Sequence, residues 1–280
     1  SCLIQPYNLE DWHTKNFEDF YADLISDEWN EIVFSECIKF QGLPFQKCAG
    51  LEIKPQRGHF TPLGVGLNLK KFIKKTMSGY SKFVTNSKRK VVFVGSYMPK
   101  VNLIKLHLKL RQLPYSPLGI IRLPSCKKNN SLRNNLISSS KDTNFEEFLS
   151  YLLPKMMPII YLETYDTVRK DILRFLPHNP AIIFTSISYQ ADDIIKIWMA
   201  EKKEIGARLI INQHGGHFGI GKYNQTVEHQ IMIASDFVSW GWGKKSHYKV
   251  TNLPSLKLAN ASKISPKRNG EILHIFSSLP

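Results

Sequence analysis

The sequence predicts an α/β protein built on a Rossmann-like parallel sheet flanked by helices, with a helical amino-terminal region. Three observations carry that expectation. The runs "KVVFV", "AIIFT" and "RLII" are short, continuously apolar and rich in β-branched residues, the pattern of strands buried on both faces. Each is followed by Gly, Ser or Asn rather than by further apolar residues, so each run stops at strand length. From residue 181 to 243, strand, helix, strand, helix and strand alternate within about 65 residues, a density that points to βαβ units.

Taken in order, residues 1–60 read as helical and irregular. Phe17, Phe20, Tyr21, Leu24, Ile25 and Trp29 recur at helical spacing, with Asp27 and Glu28 on a solvated face. Gly64 and Gly66 mark a turn, and Lys70, Lys71, Lys74 and Lys75 decorate a short basic helix. "KVVFVGSYMP" is a buried strand stopped by Gly95 and Pro99, "VNLIKLHLKLRQL" a helix and "LGIIRLP" a second strand. The Ser/Asn-rich stretch 125–143 reads as a mobile surface loop, and 144–176 as two helices around Pro154 and Pro158. Then come a strand at 181–188, a helix ending at Gly206, a strand at 207–213, a glycine-rich loop, a helix over 224–236 and a short strand at 237–243. A Lys-rich linker covers 244–269, and "EILHIFSSLP" reads as the first strand of another unit. The expected organisation is a mostly helical region 1–88 packed on the sheet, a Rossmann-like domain 89–250, and a linker with the first strand of a truncated second domain over 251–280.

Composition narrows the function classes. With 280 residues, 42% apolar and 22% charged, the chain can bury a core and is not a disordered segment. No apolar run reaches the length of a membrane span and no signal peptide opens the chain, so a cytoplasmic protein is expected. The formal charge of +15 favours anionic partners, including the anionic inner membrane face met peripherally. No Arg-rich recognition helix or aromatic RNA-binding signature accompanies that charge, so nucleic acid is not expected. Cys2, Cys37, Cys48 and Cys126 form no C-x-x-C pair and are expected as buried free thiols.

Chemistry is expected in "INQHGGHFGIGK", the loop that leaves the 207–213 strand. Open parallel sheets hold ligands beyond the carboxyl ends of their strands. Three strand ends supply polar groups there: Ser96 and Tyr97, then Ser186, Ser188 and Tyr189, then Gln213, His214 and His217. Gly215 and Gly216 let backbone N–H groups approach an anion closely, and Lys222 adds a point charge. An imidazole at the strand tip, His214, accepts a proton from a hydroxyl near neutral pH. Glu228 and His229 open the next helix, either as a match to its dipole or as residues reaching the cleft. A plain turn with a structural histidine is the alternative reading of the loop. His214, His217, Glu228, His229 and Asp236 include ligand types, but H-x-x-H in a glycine loop lacks the fixed spacing of a helical metal site, so no metal is assigned. Trp240 and Trp242 are expected in the core.

"LIINQHGGHFGIGKYNQTVEHQIMIASDFVSWGWG", together with "TSISYQADDIIKIWMAEK" and "LISDEWNEIVFSECI", resembles a family of transferases from bacterial surface-polysaccharide gene clusters with a QHGG motif. The resemblance covers most of the chain and is densest over 181–243. It implies a GT-B-type glycosyltransferase architecture of two Rossmann-like halves facing a cleft. This chain would be the amino-terminal, acceptor-side half, inactive without the other. Polymer transferases of the teichoic-acid type are related to that family, and their His-Gly pair falls on His214-Gly215. The implied activity moves a sugar from a nucleotide-activated donor to a glycan or lipid-linked acceptor, with the donor as substrate and no cofactor. His214 would act as general base, Gly215, Gly216 and Lys222 would hold phosphate, and Ser96, Tyr97, Ser186, Tyr189, Gln213, His217, Glu228 and His229 would line the substrates. Three other readings remain: a CDP-glycerol-type glycerophosphotransferase using the same pair, a non-catalytic basic binding module, and a metallohydrolase.

Overall fold

The apolar runs become strands that pair in the order in which they occur. In the computed structural model, which describes residues 2–4, 12–47, 89–115, 121, 123–137, 143–243 and 249–261, two strands near the amino terminus, Cys2–Ile4 (β1) and Phe45–Lys47 (β2), form a small parallel ladder. The main sheet holds Arg89–Val94 (β3), Pro180–Thr185 (β4), Arg208–Asn212 (β5), Asp236–Ser239 (β6) and Val250–Asn252 (β7), all parallel and in the order β3-β4-β5-β6-β7. The Rossmann-like α/β arrangement expected from the sequence is therefore present.

Each crossover advances by one strand, and one face of the sheet carries the main core. Val92, Ile183, Leu209, Ile211, Phe237 and Val250 from the strands pack in one cluster with Ile172 of helix Tyr165–Phe175 (α6), Trp198 of Asp193–Glu204 (α8) and Val227 of Gln225–Ile233 (α9). A single turn, Ser188–Ala191 (α7), precedes α8, and local signals set the helix ends. Asp192 caps α8 by accepting from the Ile195 N–H, Asn224 caps α9 by accepting from the Val227 N–H, and Gly206 leaves α8 at φ +98°, which a side chain would resist. On the opposite face, Phe93 meets the edge of His107 from helix Lys100–Lys109 (α3).

A second cluster lies away from the sheet. Helices Phe17–Leu24 (α1), Asp27–Phe40 (α2) and Asn144–Met156 (α5) bury Trp12, Trp29, Ile32, Leu152 and Met156. Asp193 at the start of α8 ties this layer to the sheet, accepting from the Phe17 N–H at 2.6 Å and from the Tyr161 hydroxyl. Among the described residues no helix is long and apolar enough to cross a membrane.

Four expectations change. The 125–143 stretch is not simply a surface loop: Asn130–Asn134 is a short helix (α4) whose Arg133 is fully buried. Its composition hid a clamp, because one arginine with enough carbonyl partners outweighs many polar neighbours. The second strand expected at 118–124 is absent among its described residues, Ile121, Leu123 and Pro124; Ile121 and Leu123 instead pack against the core as irregular backbone. The expected linker contains β7, which buries Val250 against β6 and returns the chain to the sheet. Cys126 is exposed and Cys37 half-buried, not core thiols. Expectations for 48–88 and 262–280 lie outside the described residues.

Candidate functional site

Hydrogen bonds lace the carboxyl edge of the sheet from β3 to β7. Ser186 follows β4; its N–H donates to the Gly95 carbonyl at 3.1 Å and its hydroxyl to the Ser96 carbonyl at 3.0 Å. Asn212, the last residue of β5, donates from Nδ2 to Ser186 Oγ at 3.1 Å and to the Gln213 carbonyl at 2.8 Å. Gln213 then braces the loop. Its Oε1 accepts from the Trp240 N–H at 2.9 Å and from Trp242 Nε1 at 2.7 Å, and its Nε2 donates to the Gly215 carbonyl at 2.6 Å. Beyond β6, Ser239 Oγ donates to Asn252 Oδ1 at 2.9 Å. The order arises because neighbouring strands end level: Val94 pairs with Thr185, Thr185 with Ile211, and Asn212 with Val238.

His214 stands immediately past this rail. Its ring meets the edge of buried Phe218 at 4.9 Å between centroids and lies 6.3 Å from the Tyr189 ring, which is itself 6.5 Å from His229. Burial lowers the His214 pKa below that of a free imidazole, nearby His217 and Lys257 lower it further, and the Ser186 carbonyl opposes them. The ring is therefore neutral at pH 7, the state of a proton acceptor. Its Nδ1 is buried without a hydrogen-bond partner in the protein. Three other atoms at this edge share that condition: Tyr189 Oη, Asn212 Oδ1 and Trp240 Nε1. Burial, with a smaller push from Tyr97, raises the Tyr189 phenol, so it stays a neutral O–H donor.

The glycines divide by what holds them. Gly219 has φ +79° and faces Trp242; a Cβ there would lie 2.6 Å from the indole, so packing demands glycine. A Cβ on Gly215 would meet the His217 ring at 3.0 Å. On Gly216 it would point into open space, and φ there is not in the left-handed region. Neither strain nor packing in the protein requires glycine at 216.

Of the residues singled out in the sequence, the edge brings together Ser96, Tyr97, Ser186, Tyr189, Gln213, His214, Gly215 and His217, with His229 behind Tyr189. Tyr97 adopts φ +56°, rare for a residue with a side chain. Gln213 has its whole amide committed to loop bonds, which fits it to position His214 rather than to touch substrate. Lys222 and Glu228 are exposed, on the loop tip beside Tyr223 and on the first turn of α9. Ser188 Oγ would be 2.6 Å from a Cβ at Gly95, so it closes the strand end. Sequence reasoning missed Asn212 and Lys257. The first looked like the end of a strand and the second like part of a linker. Lys257 Nζ lies 5.0 Å over the Tyr97 ring.

A groove of about 880 Å³ opens between α8 and α9, with Tyr189 and His229 at one end and Met199, Met232 and Ile233 along it. Among the described residues no group of three or more His, Cys, Asp or Glu is placed to hold a metal ion.

The parallel sheet flanked by helices places the chain in the Rossmann-like α/β class, with His214 and the glycine-rich loop at its carboxyl edge. The chain belongs to the LIC12162 family transferases, whose family model matches residues 1–280. No curated protein and no solved structure matches it.

Proposed function

We propose that the protein transfers a sugar from a nucleotide-activated donor to a hydroxyl of a glycan or lipid-linked acceptor in bacterial surface-polysaccharide synthesis, as one half of a GT-B-type enzyme. The observation that carries this reading is the pairing of a half-buried imidazole, lowered in pKa, with the unobstructed backbone at Gly216. His214 takes the proton of the acceptor hydroxyl. The freed oxygen bonds to the sugar carbon while the carbon–oxygen bond to the donor phosphate breaks, and its electron pair leaves on that phosphate. General-base assistance of this kind is worth roughly 100- to 10,000-fold in rate. Backbone N–H groups at Gly215 and Gly216 offset the charge that develops on the leaving phosphate. The apolar groove that ends at Tyr189 offers room for the lipid part of an acceptor. The +15 charge supports peripheral contact with an anionic membrane face and a cytoplasmic site of action. No cofactor takes part.

Thermal-shift measurement of the full-length protein against a panel of nucleotide sugars and CDP-glycerol tests the donor class. A true donor at about 100 times its dissociation constant stabilises the fold by about 2.7 kcal/mol. Stabilisation by a nucleotide sugar supports glycosyl transfer. Stabilisation by CDP-glycerol alone replaces it with glycerophosphotransfer, and no shift with any nucleotide overturns the donor assignment.

A further inference from the structure

The chain does not leave the sheet at β7. Leu253, the next residue, donates its N–H to the Ser239 carbonyl at the end of β6 at 2.9 Å. Seven residues later, Asn260 Oδ1 accepts from Asn102 Nδ2 at the start of α3, at 2.8 Å. Strands lie roughly 4.8 Å apart, so the path from β6 back to β3 is roughly 14 Å across the carboxyl edge. Residues 253–260 therefore form a strap over the tips that carry Ser186 and His214. Its single turn, Leu256–Leu258, presents Lys257 above the Tyr97 ring at 5.0 Å.

We propose that Lys257 is the cation that receives the phosphate group of the substrate in this crevice, a role the sequence pattern gives to Lys222. The inference rests on the reading of the edge as a transferase site. Three observations support it. Among the described residues no carboxylate pairs with Lys257, so its charge is not spent inside the fold. At the same carboxyl edge, the Tyr189 hydroxyl and the Trp240 indole N–H are buried donors without protein partners, and Tyr189 is only 5% exposed. Buried donors need an acceptor, and phosphate oxygens are acceptors only. Tyr97, under the ammonium, holds a positive φ that stores strain of the kind found at ligand clamps. Lys222 is likewise exposed and without a carboxylate partner among the described residues, but it lies beside Tyr223 on the loop tip, whereas Lys257 lies over Tyr97 and its charge bears on His214.

The phosphate can belong to the nucleotide donor or to a lipid-linked acceptor. Calorimetric titration of the full-length protein with inorganic pyrophosphate, uridine and cytidine diphosphates, and farnesyl diphosphate separates the two. One lost charge-assisted contact weakens binding about 10- to 100-fold. Lys257→Met is expected to cause that loss, Lys257→Arg to restore most of it, and Lys222→Met to change little. A loss confined to nucleoside diphosphates and pyrophosphate assigns the donor phosphate; one confined to farnesyl diphosphate assigns the acceptor. Unchanged binding in Lys257→Met, or an equal loss in Lys222→Met, overturns the inference and leaves the transferase reading standing. Failure of the wild-type protein to bind any probe overturns both. A ligand-free readout adds an independent check. Lys257→Met removes a positive neighbour and is expected to raise the His214 pKa in an NMR titration; an unmoved titration overturns the placement of Lys257 over the site.

Discussion

Two polar regions of this protein are built to opposite rules. Around Arg133 every bond is made. Its guanidinium grips Glu163 through Nε at 2.6 Å and Nη2 at 2.8 Å, and Nη1 donates to the carbonyls of Pro154 and Met157 at 3.0 and 2.7 Å. Glu163 also accepts from the Asn129 N–H. At the carboxyl edge of the sheet the backbone is equally well tied, yet His214 Nδ1, Tyr189 Oη, Asn212 Oδ1 and Trp240 Nε1 are left without partners. A saturated buried network holds structure together; the unsaturated one, braced from behind by Gln213, is the one that the proposed function fills with a ligand.

Substitutions can break or sharpen that contrast. The largest effect is expected for His214→Ala: transfer falls roughly 100- to 10,000-fold while the melting temperature barely moves, measured by a product assay beside a thermal melt. A large drop in stability would instead place His214 with the structural network. Arg133→Ala should do the reverse, costing about 3–5 kcal/mol by urea unfolding because it strands buried Glu163, with ligand affinity unchanged in the folded fraction. Gly219→Ala, which adds both a left-handed penalty and a clash with Trp242, should destabilise by roughly 2–4 kcal/mol. Gly216→Ala should leave unfolding within about 1 kcal/mol but lower activity roughly 10- to 100-fold, since only an incoming ligand needs that space. Unchanged activity would return the loop to a plain turn.

The smallest effects are in pH. The His214 pKa is lowered on folding, so the activity limb that reports its deprotonation should lie below 6.5, and the rate should be flat above neutrality. The same shift contributes stability that is present above the unfolded pKa and is lost as pH falls through the folded one. Burial by itself would raise the Glu163 carboxyl, but the Arg133 hydrogen bonds and charge, with the Asn129 N–H, hold it below the ordinary value of 4.5. Its contribution is likewise present above that value and lost as pH falls below it. Glu163→Gln should flatten the acid limb of the stability profile, and urea midpoints between pH 7 and pH 3 will show whether it does.

The fold was legible in continuous apolar runs such as "AIIFT" and "RLII", where one face is fully buried at Ile183, Leu209 and Ile211 and the other is partly covered at Ile182, Phe184 and Ile210. It was illegible at β7, whose single buried residue, Val250, leaves no run to read. The 125–143 stretch misled because composition averages over a segment, whereas Arg133 acts through three carbonyls and a carboxylate supplied by other segments. The candidate site was proposed from its loop, since His and Gly adjacent at a strand tip are visible in one dimension. Which loop residues point inward was not. Gln213 proved to be a brace, and Lys257, not Lys222, is the lysine whose charge bears on His214.

The sequence alone determined the parallel sheet and an imidazole with glycines at a strand tip, because apolar run length and backbone permissiveness are local properties. Tertiary structure alone decided which lysine's charge bears on that imidazole, which buried donors and acceptors lack partners, and that a stretch read as linker is tied back to Ser239 and Asn102. Those facts depend on distances between residues far apart in the chain, and packing, not local preference, sets such distances.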